Sequence, residues 1–188
     1  LNRRAEEKSN PIKSTAANCA QGIREELKKA FAGVKFSVTS ENFAGGDSVR
    51  IGWLDGPLTK QVDEVTGKYQ RGHFNGMEDI YEYSNSRDDI PQTKYVMTSR
   101  SMSDETRAII EASAEELYQA DPQRFEHYAS SGCHTSGNFA YRVFQHSPLP
   151  IGAKVLGIRR NEETSGVCQP EQFYYVAYEL TKAPQTKS

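Results

Sequence analysis

Two short runs constrain this chain more than any other feature. Residues 34–40, VKFSVTS, put Val34, Phe36 and Val38 on one face of an extended strand and Lys35, Ser37 and Thr39 on the other. Residues 48–54, SVRIGWL, repeat the alternation with Val49, Ile51 and Trp53 inward. Between them ENFAGGD carries Gly45-Gly46, a hairpin-loop signal. A period of two on both sides of a glycine loop predicts an antiparallel pair with one apolar face, and that face needs a cover. The preceding segment supplies it. In AANCAQGIREELKKAF, Ala16, Ala20, Ile23, Leu27 and Ala30 or Phe31 fall at helical spacing. Ser14 or Thr15 caps its start, Lys28 and Lys29 complement the dipole in its last turn, and Gly33 stops it.

The rest of the chain extends this pattern. DGPLTKQVDEVTGKY predicts a second helix, capped at Asp55 or Gly56 with Pro57 in the first turn and Leu58, Val62, Val65 and Tyr69 buried. GHFNGMED reads as a turn around Asn75-Gly76, followed by strands IYEYS and TKYVMTS on either side of a polar loop ending at Pro91. Ser103 caps DETRAIIEASAEELYQ, with Ile109, Ile110, Ala114 and Leu117 inward, and Asp121-Pro122 ends it. Residues 123–138 read as an ordered polar loop. Three late runs, FAYRVFQ, AKVLGIRR and QFYYVAYEL, read as an antiparallel meander joined by HSPLPIG and NEETSGVCQP. The sum is α+β, with antiparallel sheet or sheets and about three packed helices. The expected organisation is a flexible segment over 1–13, an α+β domain over 14–122, a β-rich region over 123–180 on the same core, and a disordered tail over 181–188.

Charge removes the simplest functional classes. With 23 basic and 25 acidic residues the net charge is -2, so the chain is neither a strongly basic nucleic-acid binder nor an acidic mimic of DNA. Cys19, Cys133 and Cys168 make an odd count without a CxxC pair, which predicts free thiols and a cytoplasmic location. No apolar run is long enough for a membrane span, and the first residues lack the apolar stretch of a signal peptide.

The segment KYQRGHFNGMEDIYEYSN, residues 68–85, gathers the most chemistry. Glu78, Asp79 and Glu82 beside Lys94 could hold a divalent ion for phosphodiester cleavage. Strand alternation, however, sends Asp79 and Glu82 to opposite faces. Cys133-His134 could form a nucleophile pair, with His127, His146 or His73 as other bases, yet adjacent residues on an extended chain point apart. A zinc site from Cys133, His134, His146 and Cys168 lacks paired ligand spacing. No metal or other cofactor is expected. For nucleic acid, Lys68, Arg71 and His73 could meet phosphates while Tyr69 and Phe74 stack, and Arg142, Lys154, Arg159 and Arg160 form a second basic group. For a protein partner, FAYRVF and FYYVAYEL carry aromatics on both strand faces, more than one core needs, so one face awaits a helix, a partner or a second copy of the chain in a homodimer. The segment as a whole reads as a helix end, a turn and a strand, with Tyr69 core-facing and Arg71 to Asn75 as a contact tip.

A family resemblance enters at the same segment. The helix leading into KFSV, the hairpin into VRIGWLDGP, then KYQ and FNGMEDIYEY resemble the large polyvalent protein-associated domain of family 29. The likeness covers residues 19–85 and continues through KYVMTSRSMSDE to about residue 105. Residues 125–188 resemble no named family. The resemblance implies a setting: phages and conjugative plasmids, beside nucleases, methyltransferases and anti-restriction modules. It carries no established catalytic residues. The expected function is therefore a non-enzymatic accessory or counter-defence protein, acting by binding a host protein or nucleic acid at Lys68, Arg71, His73, Phe74 and Asn75 or at the late basic group. The alternative is an enzyme acting on nucleic acid or a nucleotide, metal-dependent or Cys/His-based.

Overall fold

The computed structural model describes residues 15–161 and 169–180. The expected flexible N-terminus and tail, and most of the NEETSGVCQP loop with Cys168, lie outside the described residues. Thr15 caps α1 (Ala16–Ala30), its hydroxyl accepting the Asn18 N–H at 3.2 Å. Cys19, Ala20, Ile23 and Leu27 of α1 are fully buried against the hairpin of β1 (Phe36–Phe43) and β2 (Gly46–Leu54). The strands pair antiparallel with Val38 opposite Ile51 and Phe36 opposite Trp53. They run further than the alternation indicates, because Phe43 pairs with Gly46 and the loop shrinks to residues 44–45.

The second helix starts later than its Pro57 signal. Asp55 (φ 53°) and Gly56 (φ 62°) turn left-handed off β2, so α2 spans Thr59–Thr66 and the Gln61 side chain accepts the Leu58 N–H at 2.9 Å. A 3-10 turn at Gly67–Tyr69 buries Tyr69 under α1. There follow a small antiparallel hairpin, β3 (His73–Asn75) with β4 (Ile80–Glu82), and then β5 (Tyr95–Ser101). β5 joins the outer side of β2 in parallel, giving the order β1-β2-β5. A parallel neighbour needs a long crossover, which α2 and the β3–β4 hairpin provide.

The second half departs more from expectation. α3 (Asp104–Ala120) is capped by Ser103 as read from the sequence. Part of the expected loop is helical, as α4 (Pro122–His127) and a 3-10 turn at Tyr128–Ser131. FAYRVFQ is helix, not strand: it lies in α5 (Ser136–His146), and Thr135 caps it by accepting the Asn138 N–H at 3.1 Å. Phe139, Ala140, Val143 and Phe144 form its buried stripe. The meander is thus reduced to β6 (Ala153–Arg160) paired antiparallel with β7 (Tyr174–Leu180), which follows the single turn α6 (Pro170–Phe173).

Buried side chains fall into two clusters. One joins α1, β1, β2 and α2 with Tyr69; the other joins α3, α4, α5, β6 and β7. Fully buried anchors such as Ile23, Leu27, Phe139 and Phe144 each contribute about 1.5–3 kcal/mol of transfer free energy. Arg100, at 4% exposure, spans the junction. Its guanidinium donates to the carbonyls of Asp55 (3.0 Å), Phe144 (2.8 Å) and Ser147 (3.0 Å) and lies 4.0 Å from the centre of the Phe144 ring. The Asp55 carboxylate meets the start of α3, accepting from Ser103 N–H at 3.1 Å and the Thr106 hydroxyl at 3.0 Å.

Candidate functional site

The segment that gathers the most chemistry becomes the β3–β4 hairpin. Its base is held tightly. Gln92, 2% exposed, donates from Nε2 to the carbonyls of Lys68 (2.8 Å) and Asn85 (2.7 Å) and accepts the Arg87 N–H at 2.8 Å. Asn85 Nδ2 donates to the Gln70 carbonyl at 2.8 Å. The Tyr81 hydroxyl donates to the Lys94 carbonyl, and burial pushes that phenol up from its ordinary pKa. The Tyr81 ring packs edge-on against Tyr83 and Tyr95 at 4.9 and 5.4 Å, with Lys94 Nζ 5.0 Å from its centre. Gly72 is required by close approach, because a Cβ there would stand 1.8 Å from the Glu82 carbonyl oxygen.

Above this base the hairpin projects apolar side chains into solvent. Met77 is 99% exposed, Phe74 53% and Ile80 49%, and Tyr83, just after β4, keeps 65% of its surface exposed beside Tyr81. Of the sequence-selected contact residues, His73, Phe74 and Asn75 form β3, with His73 and Asn75 on the face of Glu82 and Ile80 and Phe74 on the face of Tyr81. Asn75 Nδ2 donates to Glu82 at 2.6 Å, its Oδ1 accepts the Met77 N–H at 3.1 Å, and His73 Nε2 lies 3.4 Å from Glu82. Lys68 and Arg71 belong to the base instead. Lys68 pairs with Glu26 at 2.7 Å, and Arg71 donates to the Gln92 carbonyl at 3.0 Å. β4 is shorter than the expected IYEYS and alternates over Ile80–Glu82, with Ile80 and Glu82 on one face and Tyr81 on the other, while Asp79 (φ 54°) lies in the preceding turn and not on the strand. Sequence reasoning passed over Met77, Ile80 and Tyr83; the available signal was a methionine set directly after Asn75-Gly76 in an otherwise polar turn.

The late basic group does not assemble as one strand face. Arg142 sits on α5, donating from Nε to Glu171 at 2.8 Å and from Nη1 to the Ser131 carbonyl at 2.6 Å. Lys154 pairs with Glu179 at 3.0 Å. Arg159 and Arg160 stand exposed at the end of β6, and no described acidic side chain forms an ion pair with either.

The thiol candidates are enclosed. Cys133 is 1% exposed and burial raises its pKa, while the neighbouring His134 is exposed, with Nε2 3.5 Å from the Asn138 amide nitrogen. His146 Nδ1 lies 3.0 Å from its own helix's Arg142 carbonyl. Nothing is described of the His127 side chain. Among the described residues no group of three or more His, Cys, Asp or Glu side chains could hold a metal ion. Among them, too, no helix is long and apolar enough to cross a membrane.

The model of large polyvalent protein associated domain 29 matches residues 14–107, from the start of α1 to the first turn of α3. No curated protein and no solved structure matches the chain. The matched stretch contains the whole β1-β2-β5 sheet, α2 and the exposed hairpin. The chain belongs to the large polyvalent protein associated domain 29 family.

Proposed function

We propose that this chain is a non-enzymatic accessory protein of a phage or conjugative plasmid, of the counter-defence kind, and that it acts by binding a host protein through the β3–β4 hairpin. One observation carries the reading: Phe74, Met77 and Ile80 stand 49–99% exposed on a two-stranded hairpin whose base is clamped. Large apolar side chains held exposed on an ordered projection mark a contact site. A rigid base means that little ordering entropy is lost on docking, and Phe, Tyr and Met are the side chains that serve as anchors in partner pockets.

Charge favours a protein partner over nucleic acid at this place. Residues 72–84 contain Glu78, Asp79 and Glu82 and no Lys or Arg, a distribution that repels phosphates. The complementary surface is an apolar slot with a basic rim. Capture from a bacterial host lysate, with nuclease treatment, compares the native chain with Phe74→Ser and Met77→Lys. The reading expects a protein held by the native chain that survives nuclease and is lost with both variants. Identical capture by all three, or capture abolished by nuclease, contradicts it. So does metal-dependent turnover of DNA that disappears in Asp79→Ala.

A further inference from the structure

We propose that β1 is a dimerisation edge: it adds antiparallel to β1 of a second copy of this chain about a two-fold axis at Thr39, joining the two β1-β2-β5 sheets into one. The surface is separate from the β3–β4 hairpin and does not rest on the hairpin's role.

The backbone groups at this edge follow from the hairpin register. Phe43 and Gly46 close a two-residue loop, so they form a bonded pair of the antiparallel ladder, and bonding alternates from there. Ser37, Thr39, Glu41 and Phe43 therefore bond their backbone groups to β2, while Phe36, Val38, Ser40 and Asn42 turn theirs to the outer edge. The Val38 carbonyl shows this directly, since it accepts from Arg24 Nη2 on α1 at 2.6 Å. That contact leaves the oxygen a lone pair, and among the described residues no other side chain bonds to the β1 backbone. The other long border strands are closed. Gln70 Oε1 accepts the Val96 N–H of β5 at 2.8 Å, Ser113 Oγ that of Ile158 in β6 at 2.9 Å, and Ser147 Oγ that of Val176 in β7 at 3.0 Å. Each cap lays a side chain from another element across the edge. Over Phe36–Phe43 there is no capped N–H, no proline, no lysine and no bulge, the usual guards of an exposed edge, and residues 39–43 are all exposed.

A sheet open at one edge and capped at the other pairs once and stops. Two copies satisfy each other's open edge and leave none over, which makes a closed two-fold pair rather than a growing fibre. Charge sets the register. Glu41 is the only charged residue of β1, and Arg50 answers it within the sheet at 3.2 Å. Pairing about Glu41 would set the two carboxylates opposite each other, which is unfavourable. Pairing about Thr39 sets Thr39 against Thr39, a favourable cross-strand pair, and Glu41 against Ser37. Lys35, which forms an ion pair with no described acid, then lies diagonal to Glu41 of the second copy, within reach of a long side chain. Across the axis Val38 exchanges backbone bonds with Ser40, and Phe36 with Asn42. The two copies keep α1 on the same face. Each hairpin packs on β5 through Tyr81 and Tyr95 at 5.4 Å, so the two hairpins stand at opposite ends of the joined sheet, which therefore presents two contact tips.

The test is sedimentation velocity of the full chain over about 5–500 µM. A species of twice the 21.1 kDa chain mass is expected to grow with concentration and to stop there. Ser40→Pro removes an edge N–H that β2 does not use, and Thr39→Lys sets two ammonium groups face to face at the axis. Each is expected to weaken dimerisation at least about tenfold with an unchanged circular dichroism spectrum. Thr39→Cys is expected to form an intermolecular disulfide with diamide, since a non-bonded antiparallel pair brings its Cα atoms to about 4.5 Å; Ser99→Cys, exposed on β5 of the same sheet, is not. Met77→Lys should dimerise as the native chain does, which separates this surface from the hairpin. A chain that stays monomeric overturns the proposal, whether its edge is empty or holds an extended peptide of another protein. So do assemblies that grow beyond two copies, native dimerisation in both Ser40→Pro and Thr39→Lys, and cross-linking at position 99 as fast as at position 39.

Discussion

Tyr69 and Cys19 show what single residues do at the hairpin's root. The Tyr69 ring is buried beneath α1, its hydroxyl donates to Glu26 at 3.1 Å, and its carbonyl lies 3.9 Å from the Cys19 thiol. Gly22 leaves room for the ring, since a Cβ there would meet the hydroxyl at 3.0 Å. Burial pushes the Cys19 thiol from 9.0 up to about 12, and burial with Glu26 raises the Tyr69 phenol as well. Both groups favour the protonated form in the folded chain, so the folded state binds more protons than the unfolded one at alkaline pH. The thiol's contribution is complete below its ordinary value of 9.0 and is lost as pH rises toward about 12, while the phenol's is complete below 10.0 and is lost only at still higher pH. Denaturant midpoints should therefore fall above about pH 9, at up to roughly 1.4 kcal/mol per pH unit for each such group. Cys19→Ala should make that fall shallower. An equal slope in the variant contradicts the burial argument.

At the scale of elements, the hairpin contributes to neither buried cluster, so its order rests on local contacts. Gly72→Ala should abolish amide-exchange protection across His73–Asn75 and Ile80–Glu82 while lowering global stability by only about 1–2 kcal/mol. Gly76→Ala, which meets nothing within 4 Å, should leave both unchanged. Equal behaviour of the two variants would mean that close packing at Gly72 does not hold the hairpin. The same scale shows what could be read from sequence. The β1–β2 hairpin, α1, α3, β6 and β7 were legible because each carries one period with a cap or turn at its end. α5 was not: Phe139, Tyr141 and Val143 alternate as in a strand, while Phe139, Ala140, Val143 and Phe144 also fit a helix. The deciding signal was Thr135, a cap hidden in a segment read as loop. The direction of β5 was illegible because alternation records which face is buried, not which way a neighbour runs. Of the hairpin, the turn at Asn75-Gly76 and the exposure of His73 were legible, while the apex at Met77 was not. The roles of Lys68 and Arg71 were not, since their partners Glu26 and Gln92 are distant in sequence.

For the whole molecule, the family match ends at residue 107, inside α3, whose buried Ile110 and Ala114 belong to the second cluster. The family-matched half and the remainder are thus joined by a shared helix and by Arg100. Burial lowers the Arg100 pKa to about 10, so it stays charged at neutral pH and depends on its three carbonyl acceptors. Arg100→Ala should cost about 2–4 kcal/mol by leaving those acceptors unpaired and a void beside Phe144. Two unfolding midpoints, from fluorescence of Trp53, which reports the first cluster, and from helical circular dichroism, should coincide in the native chain and separate in the variant. Coincident midpoints in the variant would place the coupling elsewhere.

Function at this scale turns on what the projecting hairpin meets. The most direct measurement places a photo-crosslinking residue at position 77, the 99% exposed tip, and at position 60, an exposed site on α2, in chains expressed in a bacterial host. The account predicts a discrete protein adduct at position 77, resistant to nuclease and absent at position 60. No adduct at position 77, the same adduct at both positions, or an adduct that nuclease removes would contradict it.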